Sequence, residues 1–275
     1  MPIEQLTEED LARRLEIILA SWPLYRVLEY TGADNLYVVP EHLAMYCTSC
    51  TKDTIWQTEL EPHITYKAGR GAKEYMCRNC GHGRVVYYFY WKKEKESSRF
   101  FKVGQYPELE ERVSRSLETA LDAEDLRMYK TALRLRNFNL GVAAVAYMRR
   151  IVENRMNAML DVLHEAGIAH NAPAEILARH EEIKRDKRFS EKVAYAGDLL
   201  PASLRPAGQP NPMAVLHELA SDALHTKTDQ ECVDIFDACR RTFEYVFGKM
   251  RIETEDAKAY VDEMAKLARK RPRSA

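Results

Sequence analysis

Hydrophobic positions change their period along this chain. Leu11, Leu15, Ile18 and Leu19 fall three or four apart, the spacing of one helix face. Thr7-Glu8-Glu9-Asp10 precedes them, with Thr7 able to cap the first turn and the acids set at its positive end. Pro23 suits the first turn of a short helix through Leu28, which Thr31-Gly32 ends. The pattern then turns strand-like, over Asn35–Pro40, Thr54–Thr58, His63–Tyr66 and Arg84–Trp91, the last dense in β-branched and aromatic residues. Ala68-Gly69-Arg70-Gly71 reads as a turn. Lys92–Ser98 turns the chain into Arg99–Val103, which can pair back antiparallel, and Gly104–Pro107 closes the strand region.

Helical spacing governs the remainder. Asp122 or Asp125 can cap a helix through Met128, Ala132 and Leu135. Val142, Val145, Met148, Val152, Met156, Met159 and Leu163 form the longest amphipathic run, closed by Gly167. A charged helix from Pro173 to about Arg185 and a shorter one over Ser190–Ala196 follow. The Pro- and Gly-rich connector 197–212 cannot be helical throughout. Met213–Leu224 is helical; then, capped by Thr228 or Asp229, comes a helix carrying Cys232, Phe236, Cys239, Phe243, Val246 and Met250. A final helix carries Tyr260, Met264 and Leu267. Cys232 and Cys239 share the stripe of Phe236 and Phe243, which makes them buried core thiols.

Chemistry concentrates in the strand region. Cys47-Thr48-Ser49-Cys50 is answered by Cys77-Arg78-Asn79-Cys80, and two Cys-x-x-Cys turns supply the four thiolates of a tetrahedral zinc site. With sulfur at all four positions such a zinc is structural. The gap of about 26 residues exceeds the commonest ribbon spacing of roughly 15–20, which implies an extended hairpin. Gly81 follows the second pair, where a positive φ helps aim backbone N–H groups at sulfur; Thr51 holds the equivalent place after the first and makes a less ideal knuckle. His82 is a minor alternative ligand. Beyond Cys80, Arg84, Tyr88, Tyr90, Lys92, Lys93 and Lys95 combine cations for phosphates with rings for stacking, the ingredients of a nucleic-acid surface; inward-facing rings and a solvated lysine tip account for the same residues without a ligand.

Composition sets limits. The 275 residues are 46% hydrophobic and 30% charged, with formal net charge −1, an ordinary soluble balance. No apolar run approaches the roughly 18–20 residues that span a bilayer, and Met-Pro-Ile-Glu-Gln does not resemble a secretory signal. Thiols used as ligands and core residues suit a reducing cytoplasm. Charge is uneven: residues 1–43 are acidic, the cysteine segment is basic, and Lys266–Arg273 forms a basic tail. Dinucleotide, phosphate-loop, nucleophile-elbow and His-Glu-x-x-His motifs are absent.

Leu216–His225 with the following Thr226–Cys232, Ala146–Glu153 and Leu199–Pro206 is similar to a group of uncharacterised bacterial proteins and, more distantly, resembles the HEPN superfamily of helical domains over roughly residues 120–250. That resemblance implies a homodimer and a setting among toxins, RNases and phage-defence or stress-response proteins. Active members pair an arginine with a histidine a few residues later. His225 fits the histidine, but Glu218, Leu219 and Ala220 stand where the arginine is needed to stabilise phosphoryl charge. Arg149 or Arg150 would have to replace it from another helix.

Together these readings predict an α+β protein: an N-terminal helical arm (1–43), a β-rich zinc ribbon (44–106), a HEPN-like helical bundle (107–252), and a C-terminal helix with basic tail (253–275). The expected function is a non-enzymatic module binding a protein partner or nucleic acid, with a HEPN-type ribonuclease using His225 as the alternative.

Overall fold

The computed structural model describes residues 3–33, 39–58, 69–109, 112–169, 172–200 and 211–270. The strand expected at 63–66, most of that at 35–40, most of the connector and the end of the basic tail lie outside these residues. The chain divides into two units, Met1–Glu111 with Asn137–Asn139, and Arg112–Arg136 with Leu140–Ala275.

In the first unit seven strands form one mixed sheet, curled into a half-barrel. They are β1 (Glu4–Gln5), β2 (Leu28–Thr31), β3 (His42–Cys47), β4 (Lys52–Gln57), β5 (Gly69–Cys77), β6 (Arg84–Lys93) and β7 (Ser98–Tyr106), in the order β1-β2-β7-β6-β5-β4-β3. β1 and β2 run parallel, and the other neighbours are antiparallel. Alternation along β6 buries Val85, Tyr87, Phe89 and Trp91 and turns Arg84, Val86, Tyr88, Tyr90 and Lys92 the other way. Helix α1 (Glu8–Ser21), opened by a capping box between Thr7 and Asp10, lays Leu11, Leu15, Ile18 and Leu19 into the core with those inward rings.

Two buried lysines complete this core. Lys102 Nζ donates to the Leu19 carbonyl (3.0 Å), placing a cation at the negative end of α1 and satisfying a carbonyl the helix cannot. Lys73 Nζ donates to the Val39 carbonyl (2.9 Å); burial holds its pKa down to about 8 against the opposing pull of Glu41.

The α+β class stands, but the expected layout of helical arm, independent zinc ribbon and helical bundle is corrected. β2 pairs with β7 through Leu28↔Phe100, Glu29↔Arg99 and Tyr30↔Ser98. The first 43 residues therefore give strands and a covering helix to the same sheet that carries the cysteines. Tyr75, Tyr87, Phe89 and Phe100 are too much apolar surface for a ribbon to bury alone. Leu28 and Tyr30 lie where a helix was expected, and Gly69–Gly71, expected as a turn, open β5.

The second unit is helical: α2 (Arg115–Ala120), α3 (Ala123–Asn137), α4 (Gly141–Ala169), α5 (Ala174–Ala178), α6 (His180–Asp186), α7 (Phe189–Leu199), α8 (Pro212–Thr226) and α9 (Asp229–Lys270). The expected helix over 173–185 is two, broken at Arg179, while the last two expected helices are one. Gly167 lies within α4 and does not end it. Cys232, Phe236, Cys239 and Phe243 are buried in its core, as their stripe implied. At Gly141 a Cβ would come within 2.1 Å of the Asp229 carbonyl, so only glycine permits this approach of α4 to α9; the Asp229 carboxylate accepts from Val142 N–H (2.9 Å). Among the described residues no helix is long and apolar enough to cross a membrane.

Lys102→Met keeps the volume but leaves the Leu19 carbonyl without its cation. The variant is expected to lose about 1–3 kcal/mol in urea unfolding followed by the sheet's tryptophan fluorescence.

Candidate functional site

Each cysteine pair sits at a hairpin end. Cys47 closes β3 and Cys50 lies in the turn to β4; Cys77 closes β5 and Cys80 lies in the turn to β6. β4 and β5 are neighbours, with Cys77 opposite Trp56, so both turns meet at one end of the sheet.

The sulfurs converge there. Cys47 Sγ and Cys80 Sγ are 3.7 Å apart, Cys50 Sγ and Cys77 Sγ 3.8 Å, and all four lie within 4.8 Å of one another. A regular tetrahedron of ~2.3 Å metal–sulfur bonds has edges of about 3.8 Å. A disulfide requires about 2.05 Å, and all four thiols are free. The cluster can hold a metal ion.

Local backbone explains how the knuckles form. Thr51 (φ 54°) and Gly81 (φ 68°) both take the left-handed conformation one residue past their pairs. Gly81 does so freely, whereas Thr51, β-branched, does so under strain of about 1–2 kcal/mol. Gly81 N–H donates to the Cys77 carbonyl (2.9 Å) and Cys77 N–H to the Gly83 carbonyl (2.9 Å). At Gly83 a Cβ would meet the Trp56 ring at 2.8 Å and Cys47 Sγ at 3.1 Å, so the absence of a side chain lets the second turn close on the sulfurs. Around the ligands, the Asn79 amide donates to Cys50 Sγ (3.2 Å) and the Thr54 hydroxyl lies 3.3 Å from Cys77 Sγ. His82 is exposed, and its backbone N–H, with that of Gly83, points at Cys80.

These donors sort the thiols. Burial pushes Cys77 up, but the Thr54 hydroxyl and the N–H groups of Cys80 and Asn79 outweigh it and hold the thiol at about 6. The N–H groups of Gly83 and His82 lower Cys80. Cys50 goes the other way: despite Asn79, burial and the neighbouring sulfurs push it up to about 12. Four crowded sulfurs cannot all carry negative charge unaided, and a central cation removes that conflict.

The nucleic-acid residues expected from sequence are only partly brought together. Arg84, Tyr88, Tyr90 and Lys92 share the open face of β6. Lys93 alternates to the opposite face, where its charge acts on the Tyr30 hydroxyl, and Lys95 is exposed in the β6–β7 turn. Neighbouring strands add residues that sequence reading missed: Arg70 and Phe101 flank Tyr90, and Arg99 stands opposite Lys92. Periodicity places Phe101 and Arg99 on a strand, but only the register shows what they adjoin.

In the helical unit His225 is exposed near the end of α8. Arg149 on α4 donates to Glu153 (2.8 Å) and reaches Ser221 Oγ (3.4 Å), one turn before His225. Arg150 is exposed.

Thr51→Gly is expected to gain about 0.5–1 kcal/mol of metal-loaded stability in thermal unfolding by removing left-handed strain. Gly83→Ala should lose the metal, read by elemental analysis of the purified chain. Metal binding must displace protons, and below pH 6 the Cys77 thiol adds one more; titration with a chromophoric chelator should show affinity falling by about a further tenfold per pH unit there.

No protein-family profile, curated protein or solved structure matches this chain.

Proposed function

We propose that this chain is a non-enzymatic binding module in which a structural zinc ion clamps the cysteine hairpins and the open face of the clamped sheet takes nucleic acid. Four thiolates with tetrahedral edges favour zinc and leave no position for a reacting water. The observation that carries the binding reading is the single face of β6 on which Arg84, Tyr88, Tyr90 and Lys92 stand together, with Arg70 and Arg99 beside them. Cations meet phosphates and rings meet bases.

Zinc should be recovered at one ion per chain, and cobalt substitution should give the intense visible bands of a four-thiolate site. For the binding step, a pool of labelled single-stranded and duplex oligonucleotides at low salt is the probe. The wild type should shift it, and the double charge reversal Lys92→Glu with Lys95→Glu should weaken binding by about tenfold or more. No binding at low salt, or binding indifferent to the reversal, overturns the reading.

Arg149 supports a second reading. Its contact with Ser221 brings a guanidinium to within one turn of His225 on α8, the pairing that a HEPN-type ribonuclease needs, and the same resemblance supports a homodimer. RNA cleavage lost in both His225→Ala and Arg149→Ala would establish it; equal cleavage by wild type and His225→Ala would discard it.

A further inference from the structure

Resting on the nucleic-acid reading above, we propose that the open face is a platform for unpaired bases, with Tyr88, Tyr90 and Phe101 stacking successive nucleotides of a single strand. Tyr88 is 47% exposed although it lies mid-strand in the sheet. Its lateral neighbours are small, Ala72 on β5 and Gly104 on β7, and a Cβ on Gly104 would come within 3.3 Å of the Tyr88 ring. The side chain thus packs closely beside Gly104 while about half of the residue stays open. One row along, Tyr90 and Phe101 are register partners with ring centroids 5.3 Å apart, and Arg70 stands on the far side of Tyr90.

Two residues along a strand separate the rows by about 7 Å. That matches the advance of one nucleotide in an extended single strand, where bases have left each other's stack. A duplex keeps its bases stacked and shows only their edges, so rings lying on a sheet cannot reach a base face in it.

The charges on this face point the same way. Arg84 is paired with Glu74 (3.1 Å), Lys92 with Glu94 (3.0 Å) and Arg99 with Glu29 (3.3 Å). Of the cations on this face and in its adjoining β6–β7 turn, Arg70 and Lys95 have no acidic partner among the described residues. Two free cations release few counterions, so binding rests on the rings and its salt dependence is shallow. For two single-strand phosphate contacts, log K against log salt has a slope of about −1.5.

The test uses the metal-loaded full chain and two fluorescent probes, a thymidine single strand of about twelve nucleotides and the same strand paired with its complement. The single strand should bind about tenfold or more tighter than the duplex, with the shallow salt slope. Tyr88→Ala and Phe101→Ala should each weaken single-strand binding about tenfold and leave weak duplex binding unchanged, while Tyr88→Phe, which keeps the ring, should retain it. Zinc content of each variant confirms the fold. Equal binding of both probes, or alanine variants that bind like wild type, overturns the platform and leaves the nucleic-acid reading standing. No binding of either probe removes both. A Tyr88→Glu change that converts a dimer to a monomer would assign the face to a second copy instead.

Discussion

Among the described residues the sheet is unevenly stitched, and the sulfur cluster sits at one of its shorter joins. β5 and β6 share a ladder from Gly69↔Trp91 to Met76↔Arg84, and β6 and β7 pair from Val86↔Tyr106 to Lys93↔Ser98. Between β4 and β5 the described residues pair only at Trp56↔Cys77 and Gln57↔Met76. Two rungs are a poor hold for a hairpin, because pairing is cooperative and the ends fray. The cysteines lie at the end where those rungs are, one strand end and one turn residue from each hairpin. A metal bound there would join the hairpins by bonds far stronger than ladder hydrogen bonds, and its binding energy would become folding energy.

What the clamp holds is a surface with two chemistries. Alternation sends Tyr87, Phe89 and Trp91 under α1 and leaves Tyr88 and Tyr90 facing out, so one strand supplies both the core and the candidate interface. The inward side tolerates charge only where it is tied down, as at Lys102 beneath α1. The outward side has its cations mostly paired with acids, which explains how a sheet with this many basic residues belongs to a chain of net charge −1.

Much of this was legible where the chemistry is local. Cys-x-x-Cys turns announce their own geometry, β6 and β7 carry strong alternation, and the stripe through Cys232 and Phe243 gave a buried helix face. Errors fall where tertiary context decides. Leu28–Thr31 is a four-residue strand whose pairing with β7 spans some seventy positions, and Pro23 before it mimics a helix start. Gly69-Arg70-Gly71 carries turn residues inside a strand, and at Gly71 a Cβ would overlap the Phe89 ring, at 2.3 Å. Glycine there makes room for a core aromatic, which no local pattern reveals. The left-handed Thr51 was legible as a misfit, and the structure keeps it as one.

Among the described residues β4 pairs with β5 at Met76 and Cys77. Lys73, in the middle of β5, turns its ammonium inward onto the Val39 carbonyl. Any rearrangement that moved the Val39 carbonyl away would leave a buried cation without its acceptor. The lysine that looks like a defect in the core therefore ties the chain before β3 to the middle of β5.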